Sequence, residues 1–95
     1  MRLGADGRVP CPLATEALQR IVLRLPQDEP FALYNNGDNF NNDKYVLSAN
    51  FLTVTVRDMT VSDEGEYSCE VTHGDSFPGR LIFATPVTIS VYGES

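Results

Sequence analysis

The sequence predicts an all-β fold, a sandwich or a barrel of short antiparallel strands. Apolar and polar residues alternate in residues 52–56 and 87–91, and this period of two is typical of a strand with one buried face. Turn-forming residues, such as Asn36-Gly37 and Asp63-Glu64-Gly65, separate the alternating runs at spacings of roughly 8–12 residues. The chain has 95 residues, so we expect residues 1–95 to form a single domain.

Each predicted strand follows from the same alternation. In residues 21–25, for example, Ile21, Leu23 and Leu25 are expected to point inward. In chain order the predicted strands are residues 9–13, 20–25, 31–34, 44–48, 51–57, 66–72 and 80–92. The last strand is expected to break near Pro86, because proline has no N–H to donate to a sheet.

Charge and hydropathy argue against several classes of function. Thirteen acidic residues against seven basic ones give a net charge of −6, which disfavours nucleic acid and anionic membranes as partners. No uninterrupted apolar run exceeds four residues, as in Leu81-Ile82-Phe83-Ala84, so direct insertion into a membrane is not expected. These features are typical of a single domain with a well-solvated surface, and they do not identify its partner.

The two cysteines, Cys11 and Cys69, lie 58 positions apart in strand-like runs. They could be free buried thiols, metal ligands or a disulfide. A metal site needs about four ligands and only His73 could join them, so we expect no metal and favour a disulfide. A disulfide across so long a loop would stabilise the domain by roughly 4 kcal/mol and would imply an oxidising, extracellular compartment.

The segment Asp63-Glu64-Gly65-Glu66-Tyr67-Ser68-Cys69 reads Asp-x-Gly-x-Tyr-x-Cys, and with it the chain resembles the immunoglobulin superfamily. The resemblance covers nearly the whole chain. It implies a Greek-key sandwich of the variable type, or of a form between the variable and intermediate types. It also implies that Tyr67 forms the tyrosine corner, that Gly65 serves the turn before it, and that Asp63 pairs with Lys44.

In the lettering of that family, the seven predicted strands are B, C, C′, D, E, F and G, residues 1–3 are the remnant of strand A, and C″ is short or absent. The sequence departs from the family pattern in two respects. It has no Trp, so Leu23 takes the place of the core Trp and Phe51, Tyr45 or Phe83 must refill the core. Residues 80–91 contain no glycine for the bulge of antibody-type domains, which favours a divergent receptor, invertebrate receptors included.

Other candidate sites have simpler interpretations. Asp38, Asn41 and Asp43 carry calcium-type oxygens, but their spacing does not match an EF-hand, so a polar loop is expected. His73 is the only histidine and is expected in the F–G loop, residues 73–79. Without a nucleophile elbow or an oxyanion glycine cluster, the sequence predicts no enzyme activity and no cofactor.

The candidate binding surface is the outer face of the sheet formed by strands G, F, C and C′. Arg20 and Arg24 beside Glu70 give it both signs of charge, which suits self-pairing or an ion pair within the domain. Alternation within Leu81-Ile82-Phe83 must turn either Ile82 or its two neighbours outward. The candidate residues are Arg20, Val22, Arg24, Tyr34, Glu70, Thr72, Phe77, Arg80, Leu81 and Phe83.

The resemblance implies an extracellular binding module, the ectodomain of a plasma-membrane receptor or adhesion protein whose signal peptide and membrane anchor lie outside these residues. The first hypothesis is homophilic recognition between cells, with an identical domain or a related receptor as partner, and self- or allorecognition as one form of it. The alternatives are a soluble immune-type domain that binds carbohydrate or a different protein, and an architectural spacer. All of them rest on analogy of fold.

Overall fold

A computed structural model describes residues 4–26, 29–40, 42–75 and 79–92. Within these residues the strands, in chain order, are β1 (Gly7–Pro10), β2 (Leu18–Arg24), β3 (Phe31–Asn35), β4 (Asp38–Asn39), β5 (Tyr45–Leu47), β6 (Thr53–Val56), β7 (Gly65–His73), β8 (Arg80–Phe83) and β9 (Val87–Ile89). A short 3-10 turn (Val61–Asp63) precedes β7. No helix in this part of the chain has the length and apolar character needed to cross a membrane.

The strands form the two antiparallel sheets of a sandwich. The smaller sheet has the order β1-β6-β5, and the larger one has the order β4-β3-β2-β7-β8. Strand β9 also pairs with β7, at the opposite end of that strand from β8. The predicted strand at 80–92 is therefore two strands, separated by a segment that contains Pro86.

Alternating side chains from both sheets meet in one core. Ile21 and Leu23 of β2 and Val54 and Val56 of β6 are fully buried, as the period-two pattern predicts. The bond between Cys11 and Cys69 joins β7 of the larger sheet to the residue that follows β1 of the smaller one. The full set of buried apolar residues is Val9, Cys11, Ile21, Leu23, Leu33, Leu47, Val54, Val56, Met59, Tyr67, Cys69, Val71 and Val91.

The bounds of the predicted strands differ from those observed by up to three residues, and for two strands the physical cause is clear. The strand predicted at 9–13 spans Gly7–Pro10, because Pro10 and Pro12 have no N–H and the chain then crosses to the other sheet. The strand predicted at 51–57 spans Thr53–Val56, because Phe51 lies in a turn with φ +61°. The strand predicted at 1–3 lies outside the described residues, and the short C″ strand corresponds to the two residues of β4.

Of the three residues expected to refill the core, only Tyr45 packs against it, whereas Phe51 and Phe83 do not. Phe83 is 58% exposed and takes no part in the core. Tyr45 is half-buried and packs against Phe31, with ring centroids 5.3 Å apart. Phe51 lies at the margin of the sandwich. The position opposite Cys69 in the β2–β7 ladder is occupied by the fully buried Leu23.

Candidate functional site

The turn before β7 is held by the side chains of the Asp-x-Gly-x-Tyr-x-Cys segment. The hydroxyl of Tyr67 donates a hydrogen bond to the carbonyl oxygen of Asp63. Lys44 Nζ lies 2.6 Å from Asp63 Oδ2, and the backbone N–H of Thr60 donates to the same oxygen at 2.8 Å. Partial burial acts to raise the pKa of the Asp63 carboxyl, but the hydrogen bonds from Lys44 and Thr60 outweigh burial, so this pKa lies below its ordinary value.

Gly65 is required by close packing at this turn. A Cβ atom at Gly65 would lie 2.5 Å from Cβ of Pro26, and the backbone has φ +140°. Glu64, the residue before it, accepts a hydrogen bond from the backbone N–H of Val91 at 3.0 Å. These contacts connect the start of β7 to the segments that follow β9 and β2.

The solvent side of β2, β3, β7 and β8, which we call the outer face, contains most of the predicted binding residues. Cross-strand partners place the side chains in rows across the sheet. One row contains Ala32, Val22, Glu70 and Phe83; the next contains Arg20, Thr72 and Leu81; a third pairs Arg24 with Ser68.

Leu81 and Phe83 are the exposed large apolar side chains of the outer face. Leu81 is 51% exposed and Phe83 is 58% exposed, whereas Ile82 between them packs against the core. The choice left open by the sequence is settled by the register, because Ile82 lies opposite the buried Val71 of β7.

Glu70 and Arg24 form an ion pair across β2 and β7. Arg24 Nε donates to Glu70 Oε1, and the side chain of Glu70 is only 11% exposed while that of Arg24 is 56% exposed. The negative charge in the middle of the outer face is therefore neutralised within the domain. Arg20 is exposed, and no carboxylate in the described part of the chain forms an ion pair with it.

Tyr34 is not part of the outer face, and the predicted assignment of this residue is corrected. Its ring packs edge-on against Phe51, with centroids 5.4 Å apart, at the end of the sandwich. The reason is a register shift: Ile21 lies opposite Tyr34, and the next residue, Val22, lies opposite Ala32. Leu33 is the extra residue, and its insertion moves Tyr34 to the inner side and leaves Ala32 on the outer face.

Two other candidate residues also fall away from the outer face. Arg80 lies opposite His73 and so shares the side of the sheet that carries Ile82, not the side that carries Leu81. Phe77 lies outside the described residues. Ala32, which the sequence did not single out, replaces Tyr34 in the row next to Val22.

His73 is not a loop residue. It ends β7 and is 5% exposed, and its Nδ1 accepts hydrogen bonds from the backbone N–H groups of Thr15 at 3.2 Å and Glu16 at 3.3 Å. Its Nε2 lies 3.9 Å from the Glu16 carboxylate. The histidine thus holds the crossover between β1 and β2 against the end of the larger sheet.

In the described part of the polar segment after β3, a side chain forms hydrogen bonds with nearby backbone N–H groups. Asn42 Oδ1 accepts hydrogen bonds at 2.8 Å from the N–H groups of Lys44 and Tyr45. Asp38 belongs to β4, and Asn41 lies outside the described residues. Where the chain is described, no three His, Cys, Asp or Glu side chains come together as metal ligands.

No family model matches the chain, and no curated protein matches it. Solved structures do match. The V domain of amphioxus IgVJ-C2 superposes with a TM-score of 0.68 at 17% identity, covering 96% of each chain. The amphioxus IgVJ-C2 molecule superposes with a TM-score of 0.65 at 20% identity, and this chain covers 53% of it, about half of its length. The two antiparallel sheets, the disulfide between them and these likenesses show that the chain has the fold of an immunoglobulin variable-type domain.

Proposed function

We propose that this domain is an extracellular recognition module that binds a second copy of itself through the outer face. Domains of this fold are typically binding modules, and the disulfide suits an oxidising compartment outside the cell. We propose that the domain belongs to the ectodomain of a plasma-membrane receptor or adhesion protein. Two copies on opposing cells would then bind each other, which is the contact that self- or allorecognition requires. The observation that carries the proposal is the exposure of Leu81 and Phe83 on the outer face.

The composition of the outer face supports a protein partner. Phe83 lies in the row that contains Val22 and Ala32, with the paired Glu70 between Phe83 and Val22, and Leu81 lies in the adjacent row. Protein interfaces concentrate aromatic and aliphatic side chains at their centre and place charges at the rim. Because Glu70 is already paired with Arg24, covering the centre does not leave an unpaired carboxylate.

The charges at the two ends of the outer face support a second copy as the partner. Arg20 lies at one end of β2, opposite Thr72, and Glu66 lies near the other end of β7. Two copies that pack face to face with their strands antiparallel bring Arg20 of one copy towards Glu66 of the other, twice by symmetry. With the strands parallel, like charges would meet instead. The antiparallel arrangement is therefore the one we propose.

Sedimentation from micromolar to millimolar concentration tests the self-association. We expect a reversible dimer that Phe83→Asp abolishes, because a carboxylate would be buried at the centre of the contact. Val61→Asp is the matched control, since Val61 is 54% exposed in the 3-10 turn, away from the outer face. A domain that stays monomeric, and fails to cluster beads coated with it, would contradict homophilic binding.

Charge exchange tests the arrangement of the two copies. Arg20→Glu and Glu66→Arg should each weaken the homodimer, because each variant places like charges together at both ends of the contact. In an equimolar mixture, residue 20 of the first variant (Glu) meets residue 66 of the second (Arg) and Glu66 of the first meets Arg20 of the second, so the two variants should pair again as a heterodimer. A dimer unaffected by either variant, or a mixture that does not pair, would contradict the antiparallel arrangement. Specific binding on a glycan array by a monomeric domain would favour the carbohydrate-binding alternative.

A further inference from the structure

A cleft of about 300 Å³ opens at the end of the sandwich, between the crossover from β1 to β2 and the turn from β5 to β6. Its apolar walls come from Leu13, Leu18, Tyr34 and Phe51, and its floor from the buried Ile21 and Val71. Ligand sites are typically concave, mostly apolar and of roughly 300–1,000 Å³, so this cleft has the size for one small ring system. It lies on the inner side of the larger sheet and is separate from the outer face.

One wall of the cleft is held in an unfavourable backbone conformation. Phe51 has φ +61°, in the left-handed region where a turn of this kind normally places glycine. The turn is closed by Phe51 N–H, which donates to the carbonyl of Ser48 at 3.0 Å, and by Ser48 Oγ, which accepts from the N–H groups of Leu52 and Thr53. Strained residues of this kind cluster at ligand sites. The ring that this conformation places at the cleft meets Tyr34 edge-on.

The rim of the cleft carries one carboxylate. The side chain of Glu16 is 41% exposed, and the backbone N–H of Glu16 donates a hydrogen bond to His73 Nδ1. The Nε2 atom of His73 lies 3.9 Å from the Glu16 carboxylate, beyond hydrogen-bond distance. No Lys or Arg in the described ranges forms an ion pair with Glu16. Glu16 is thus the one acidic residue among the described residues that line the cleft.

We propose that the cleft binds a small organic cation, an arylalkylamine whose ring enters between Phe51 and Leu13 and whose ammonium group pairs with Glu16. The apolar walls accept the ring, and the carboxylate selects the positive charge. This binding is independent of self-pairing through the outer face, so either proposal can fail without the other.

Titration with 2-phenylethylamine and tryptamine, followed by amide chemical shifts, tests the proposal. We expect shifts confined to the crossover and to the β5–β6 turn, with tighter binding than for 2-phenylethanol or 3-phenylpropionate, which present the same ring with a neutral or negative group. Glu16→Gln should weaken amine binding by roughly five- to tenfold, the loss expected for a partly exposed ion pair. An anion that binds as tightly as the amine, or the absence of shifts at millimolar amine, would overturn the proposal.

Two further variants separate the cleft from general stability. Phe51→Gly removes the ring and relieves the backbone, so it should abolish binding without lowering Tm. If Phe51→Gly does not fold, Leu13→Lys serves instead, because Leu13 is 65% exposed and a lysine there would compete for Glu16. Phe40→Ala, which removes an exposed ring outside the cleft, should leave the affinity unchanged. Full amine affinity in a folded Phe51→Gly or Leu13→Lys domain would contradict the assignment.

Discussion

The carboxylate of Glu70, in the middle of the outer face, is held by the guanidinium of Arg24 from the neighbouring strand. Arg24→Ala would leave this nearly buried carboxylate without its partner, and we expect the free energy of unfolding to fall by about 1–3 kcal/mol. Adding Glu70→Gln to Arg24→Ala should recover part of this loss, because an amide carries no charge to desolvate. Urea unfolding of the two single variants and the double variant measures both effects. A double variant no more stable than Arg24→Ala would contradict the account.

Two glycines with positive φ should respond very differently to substitution. Gly65→Ala places a Cβ 2.5 Å from Pro26 at φ +140°, so we expect the free energy of unfolding to fall by more than about 2 kcal/mol. Gly37→Ala, at φ +95°, meets nothing within 4 Å and should cost only about 1 kcal/mol, from backbone conformation alone. Thermal or urea unfolding compares them. Equal losses would show that contact with Pro26 is unimportant.

The Lys44–Asp63 pair should contribute to stability in a defined range of pH. The pKa of Asp63 lies below its ordinary value of 3.8 in the folded domain, so the folded state favours the carboxylate. Its contribution is present above pH 3.8 and is lost as the pH falls through the folded pKa. Asp63→Asn should flatten the dependence of unfolding free energy on pH in this acidic range. Glu29→Gln, an exposed acid, is the control that should leave the dependence nearly unchanged.

His73 should protect two backbone amides from exchange with solvent. Its Nδ1 accepts from the N–H groups of Thr15 and Glu16, and a side chain without an acceptor leaves both unsatisfied. We expect His73→Leu to speed amide hydrogen exchange at Thr15 and Glu16 and to lower the free energy of unfolding by about 1–3 kcal/mol. Amides in the centre of β6 serve as the internal reference. Unchanged exchange at residues 15 and 16 would contradict this role of the histidine.

The core and the turn before β7 could be predicted from the sequence because their determinants are local. Alternation in residues 52–56 depends only on neighbouring residues, and the observed burial of Val54 and Val56 follows it. The segment Asp-x-Gly-x-Tyr-x-Cys places Tyr67 four residues after Asp63, within reach of its carbonyl oxygen. The break near Pro86 likewise follows from the missing N–H of one residue.

The membership of the outer face could be predicted only in part. Val22 and Thr72 lie where alternation from Leu23 and Cys69 places them. Tyr34 does not, because alternation assumes an unbroken register and the extra residue at Leu33 reverses the parity of the strand. Nothing in Phe31-Ala32-Leu33-Tyr34-Asn35 marks that insertion, since it depends on how β3 hydrogen-bonds to β2.

By itself, then, the sequence determined the fold class, the approximate positions of the strands and the alternating core residues of β2, β6 and β7, since these follow from side-chain periodicity and from the conformational limits of Gly and Pro. Tertiary structure alone decided which apolar side chains of β8 reach solvent, which of Arg20 and Arg24 pairs with Glu70, and how Leu13 and Phe51 come to line one cleft. Each of these depends on the register between strands or on the approach of segments far apart in the chain. No local pattern encodes those distances, because they result from the packing of the whole sandwich.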